Sequence, residues 1–156
     1  MKIVELAPGA EENGLAVMLA DLVSQNLEAK PHKRGDFDAL ASNGGGSVSI
    51  VADDAEVALT LRFRDGKLVI HDGIVGVPDV TIRGGSDTIL ALSNLPITPR
   101  IGFLKGMPFP NPRDAEAVKT VRAVMAELTS GRFHIYGLAF HLPLLMRLTR
   151  VMSVNG

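Results

Sequence analysis

The stretch VALTLRFRDGKLVIHDGIV (57 to 75) decides the fold. Val57, Leu59, Leu61 and Phe63 alternate with Ala58, Thr60, Arg62 and Arg64, the period of a strand with one buried face. Asp65-Gly66 is a two-residue hairpin signal, because the favoured tight turn needs positive φ at both central positions. On the return strand, Lys67 to His71, Leu68 and Ile70 fall on the same face as Leu61 and Phe63. A hairpin with a hydrocarbon face is not stable alone and must be covered.

Toward the N-terminus, Ser47 to Ala52 reads as a third strand, joined to the hairpin by an Asp53-Asp54 turn. Residues 30 to 46 read as a loop with a basic cluster (Lys30, His32, Lys33, Arg34) and the run Asn43-Gly44-Gly45-Gly46. Before it, Glu11 to Ala29 has helical spacing, with Leu15, Met18, Leu19, Leu22, Val23 and Leu27 on one side and Asp21, Ser24, Gln25 and Glu28 on the other.

Toward the C-terminus, Asp79 to Arg83 predicts a strand with Val80 and Ile82 inward, and Ser86 caps a short helix over Asp87 to Ser93. Prolines 96, 99, 108 and 110 make the following segment a loop carrying Phe103, Met107 and Phe109. Asn111-Pro112 is a helix start, and Val118, Val121, Met125 and Leu128 continue at helical spacing to Thr129. Arg132 to Tyr136 returns to period 2 with Phe133 and Ile135 inward. The order predicts an α+β chain: one domain over 1–156, a mostly antiparallel five-stranded sheet, and helices on one face.

The final segment, LAFHLPLLMRLTRVM (138 to 152), is apolar around most of a helical circumference, with Arg147 and Arg150 in a narrow polar sector. Such a helix must be buried, meet a partner or line an apolar cavity. Pro143 lacks an N–H and fits the first turn, which places the helix start near 141 to 142.

Composition narrows the function classes. A net charge of −1 gives no reason to expect nucleic acid, and zero cysteines removes disulfides and thiol chemistry. The first residues, MKIVELAPGAEENG, lack a signal-peptide core and no run is long enough to span a bilayer, so a cytoplasmic protein is expected. His32, His71, His134 and His141 show no metal spacing, so neither metal nor cofactor is expected. The glycine run is not followed by Lys-Ser or Lys-Thr, and no serine lies in a GxSxG context. An enzyme built on Tyr136, His134 or His71 would need two of them converging in a cavity, yet all three alternate outward.

With the strands placed, three blocks resemble the sterol carrier protein 2 lipid-binding domain: VALTLRFRDGKLVIHDGIV (57 to 75), PDVTIRGGSDTILALSN (78 to 94) and SGRFHIYGLAFHLPLLMRL (130 to 148). Residues 106–129 depart from it, adding a loop and helix where the family passes almost directly to its last strand. The resemblance implies a non-catalytic carrier whose sheet and helices enclose a tunnel for a long apolar ligand: a fatty acid, acyl-CoA, sterol-like or isoprenoid lipid. Its floor would be Leu61, Phe63, Ile70, Ile82, Phe133 and Ile135, some of them plain core. Ligand contacts would fall on Phe103, Met107, Phe109, Phe140, Leu144, Leu145, Leu148 and Met152. Transient contact with a membrane surface, a homodimer or a lipid-enzyme partner would be compatible with it. The alternative is an accessory or scaffold protein that docks on a lipid-metabolising enzyme through the apolar final helix.

Overall fold

The computed structural model describes residues 2–42, 44–93 and 115–154. The hairpin lies inside the sheet, with neighbours on both sides. Strands β3 (Val57–Arg64) and β4 (Lys67–Asp72) pair antiparallel, with Leu61 opposite Ile70 and Phe63 opposite Leu68. Asp65 and Gly66 both have positive φ, 52° and 77°, as the tight turn demands. Strand β2 (Gly46–Ala52) adds antiparallel to β3, with Ile50 opposite Leu59.

The sheet has six strands in mixed orientation, a correction to the five mostly antiparallel strands expected. Its order is β1-β4-β3-β2-β5-β6. The added strand, β1 (Val4–Leu6), lies parallel to β4, and β5 (Val80–Gly84) lies parallel to β2. Three residues are too few to show a period, so β1 has no signature in the sequence. Parallel pairing of β2 with β5 is reached because β3 and β4 intervene in sequence and lie on the other side of β2. β6 (His134–Tyr136) closes the far edge, antiparallel to β5, with Ile135 opposite Ile82.

Helices cover the hydrocarbon face. α1 (Gly14–Ala29) buries Leu19, Val23 and Leu27 in the core. Asn13 caps it, its side-chain oxygen accepting from the Ala16 N–H at 3.1 Å. The Asn13 amide donates to the Ala58 carbonyl (2.9 Å) and the Asp72 carboxylate (2.7 Å), which ties the helix start to the sheet. Residues 30–46 are not one loop. Pro31–Lys33 forms a 3-10 turn and α2 (Arg34–Ala41) follows, with Phe37 set edge-on to Phe63 at 6.0 Å. Only Phe37 and Leu40 supply large side chains to its apolar face, which is why composition hid this helix.

α3 (Ser86–Ser93) and α4 (Ala115–Ser130) follow β5. The helix start expected at Asn111-Pro112 lies outside the described residues. α5 (Leu138–Met152) begins three residues before the expected 141, with His141 in a non-helical conformation (φ −126°, ψ 26°). Pro143 therefore sits at the start of the straight portion, where its missing N–H is tolerated. Gly137 precedes the helix at φ 84°, and a Cβ there would lie 2.2 Å from the Asp79 carbonyl oxygen, so only glycine fits. Among the described residues no helix is long and apolar enough to cross a membrane.

Candidate apolar ligand site

Cross-strand register sets one row of side chains on the covered face: Ile50 on β2, Ile82 on β5 and Ile135 on β6. Phe133, just before β6, lies beside them. Its ring fits only because residue 84 is glycine; a Cβ there would be 2.6 Å from Phe133 Cδ2. α3 contributes Ile89 and Leu92 above this row, and α4 contributes Met125 and Leu128. α5 completes the wall with Leu145, Met146, Leu148, Thr149 and Met152. The space between them, partly open to solvent, is about 200 Å³.

Among the described residues, Thr149 carries the one polar side chain in this wall, and its hydroxyl donates to the Leu145 carbonyl at 2.9 Å. That bond satisfies the hydroxyl within the helix. Such a cavity gives water few partners and suits hydrocarbon. Its side chains are aliphatic, Met and Phe, and flexible Met at Met125, Met146 and Met152 lets the wall adapt in shape.

Of the expected ligand contacts, the structure brings Leu145, Leu148 and Met152 to this cavity. Phe140 is placed elsewhere, 88% exposed in the first turn of α5. Leu144 lies on the opposite side of α5, against Gly46 and the end of α2. Phe103, Met107 and Phe109 lie outside the described residues. Of the expected floor, Ile82, Phe133 and Ile135 line the cavity, while Leu61, Phe63 and Ile70 are core. Sequence reasoning passed over Ile50, Ile89, Leu92, Met125, Leu128 and Met146 as lining residues, although Met125 and Leu128 already stood at helical spacing.

Among the described residues, titratable groups lie away from this space. His134 stacks on Tyr136 at 5.8 Å on the outer face of the sheet, beside Arg83 and Arg132. Both arginines are paired, Arg83 with Asp53 and Arg132 with Glu127, and each carboxylate raises its guanidinium above the ordinary value. His71 faces outward from β4, half-buried, and burial reinforced by Arg62 lowers its pKa. Asp54 accepts hydrogen bonds from the Ser86 hydroxyl and N–H, which hold it below the ordinary carboxylate value. No group of three or more potential metal ligands occurs among the described residues.

Among the described residues one charged side chain is buried. Lys33 is 3% exposed, and desolvation, with Lys30 nearby, lowers its pKa to about 8 despite the opposing pull of Asp36. Its ammonium donates to the Ser153 carbonyl at the end of α5.

No protein-family model matches the sequence, and no curated protein matches it. Solved structures do. The UbiJ-SCP2 Ubiquinone synthesis protein aligns over 91% of this chain and 95% of its own, at 13% identity and a TM-score of 0.57. A crystal structure of sterol carrier protein 2 aligns over 89% of this chain and 96% of its own, at 16% identity and a TM-score of 0.45. A solution structure from Thermus thermophilus, described as possibly a sterol carrier protein, covers 86% and 85%, at 13% identity and a TM-score of 0.37. The first of these, with the strand order and helical cover described above, shows that the chain has the sterol carrier protein 2-like fold.

Proposed function

We propose that the protein is a non-catalytic binder and carrier of a lipid, holding its hydrocarbon tail between the β2–β5–β6 face and helices α3, α4 and α5. The observation that carries this reading is the wall itself: a space of about 200 Å³ in which, among the described residues, the one hydroxyl is already bonded. Each methylene moved from water into such a space contributes about 0.8 kcal/mol. A tail of ordinary length thus offsets the ordering cost of binding without any ionic anchor. The sterol carrier protein 2-like fold supports the same class of ligand: fatty acid, acyl-CoA, sterol-like or isoprenoid lipid. A polar group in mid-chain would meet hydrocarbon and lose affinity.

Native mass spectrometry of the purified protein, followed by organic extraction, is the direct test. Co-purifying lipid, or saturable uptake of cis-parinaric acid, is the expected result. Absence of both would overturn the reading.

A second reading, an accessory protein docking on a lipid-metabolising enzyme, is favoured by the exposed side chains Leu138, Phe140 and Leu142 at the start of α5. The two readings separate in one variant. Phe140→Ser removes the most exposed of these side chains and leaves the cavity wall intact, so lipid uptake should be unchanged while docking is lost.

A further inference from the structure

The same alternation that turns Ile82 and Ile135 to the covered face of the sheet turns Arg83, His134 and Tyr136 to the other face. There they meet Asp53 and Asp54, from the turn after β2, and Arg132, from the turn before β6, around one polar groove of about 520 Å³. That volume lies in the range of small-molecule sites. Gly85 and Gly131 border it and bring no side chain into it.

Both arginines are held in place with donors to spare. Arg83 directs Nε and Nη2 to Asp53, each 2.9 Å from Oδ1. Arg132 directs Nε and Nη2 to Glu127, at 3.0 and 2.8 Å. Among the described residues no bond is made by Nη1 of either guanidinium, so each fork still offers both N–H groups of that nitrogen. Asp54 commits Oδ1 to the Ser86 N–H and hydroxyl, at 2.8 and 2.7 Å, and its other oxygen remains to accept.

Charge alone does not select a bare anion here. Arg83 and Arg132 stand against Asp53, Asp54 and Glu127, two positive groups against three negative ones. A fitting ligand must give acceptors to the forks and hydroxyl donors to the carboxylates. The rings add a third demand. His134 and Tyr136 lie 5.8 Å apart at 24°, and Tyr136 is 55% exposed, so a planar group can stack on it. A nucleotide meets all three: a base that stacks, ribose hydroxyls that donate to a carboxylate, and phosphate oxygens that accept from arginine.

We propose that this groove binds a nucleotide, its base on Tyr136, its ribose on Asp53 or Asp54 and its phosphate between Arg83 and Arg132. The groove and the apolar cavity lie on opposite faces of the sheet, so this proposal stands apart from the lipid-binding reading.

Tyr136 is the chain's one tyrosine and the chain has no tryptophan, so intrinsic fluorescence reports on this groove alone. ADP should quench it saturably, after correction for absorbance against free N-acetyltyrosinamide. Arg132→Gln should weaken ADP about tenfold, the effect of one hydrogen bond to a charged group. Arg64→Gln, at an exposed arginine outside the groove, should leave the affinity unchanged. Adenosine and inorganic phosphate each make part of the contacts and should bind at least about tenfold more weakly than ADP. CoA carries the same adenosine diphosphate and separates the two sources of the ligand. Affinity equal to that of ADP points to a free nucleotide, and affinity at least about tenfold tighter points to a nucleotide bearing a pantetheine arm. No saturable response to ADP or CoA, an Arg132→Gln protein that binds as the parent does, or phosphate binding as tightly as ADP would each overturn the proposal.

Discussion

Arg150 grips Asp36 through two parallel hydrogen bonds, Nε to Oδ2 at 2.9 Å and Nη2 to Oδ1 at 2.7 Å, across 114 positions of sequence. Both side chains are about three-quarters shielded from solvent, so this pair is screened less than an ordinary surface ion pair. It fixes the end of α5 to α2, and through α2 to Phe63 in the sheet. Asp36→Ala should lower unfolding free energy by about 1.5–3 kcal/mol, the range for hydrogen bonds to charged groups. Urea denaturation of the variant against the parent measures it.

Asn26 supplies a neutral version of the same anchor. Asn26→Ala would remove the Asn26 donor from the carbonyls of Val151 and Met152, while Ser153 keeps Lys33, at a cost of about 1–3 kcal/mol. The distinguishing expectation is that the loss is not recovered by Asn26→Leu, which restores bulk but no donor. Thermal melts of the three proteins check this.

Lys33 makes a pH prediction of defined sign. Its folded pKa, about 8, lies below its ordinary value of 10.5. Between those values the unfolded chain binds more protons at this site than the folded one, so this group's contribution raises stability as pH rises through the window. Below pH 8 both states are protonated and burial of the ammonium stands as an undiminished penalty. Lys33→Met should therefore flatten the stability-versus-pH curve between 8 and 10.5 relative to the parent. Chemical denaturation at about pH 7, 9 and 10 reads the difference, and a parallel pair of curves would refute it.

Leu145 is the position at which bulk should block the cavity. It is half-buried and lines the site, so Leu145→Trp can fill space with little new core strain. The expected result is a folded protein with at least about tenfold weaker uptake of cis-parinaric acid, a loss of roughly 1.4 kcal/mol in binding. Unchanged affinity would mean that the ligand does not lie between α5 and β6.

Much of this fold is local. Alternation over Val57 to Ile70 and the Asp65-Gly66 turn define the central hairpin because strand period and turn chemistry are properties of neighbouring residues. The same holds for the row Ile82, Phe133 and Ile135, whose inward direction follows from period 2 alone. The likeness to sterol carrier protein 2 domains was legible in the order of three blocks, and the fold agrees with it.

Other features depend on partners distant in sequence. No spacing within β1 or β5 announces a parallel neighbour, since parallel pairing joins segments that other elements separate. Leu144 and Leu145 read alike in an all-round apolar helix, yet one packs toward Gly46 and the other lines the cavity, because periodicity cannot choose a face that is hydrophobic everywhere. Asn26 and Lys33 carry ordinary polar side chains in sequence. They become an anchor only where tertiary packing brings the carbonyls of residues 151–153 to them and excludes the water that would otherwise compete.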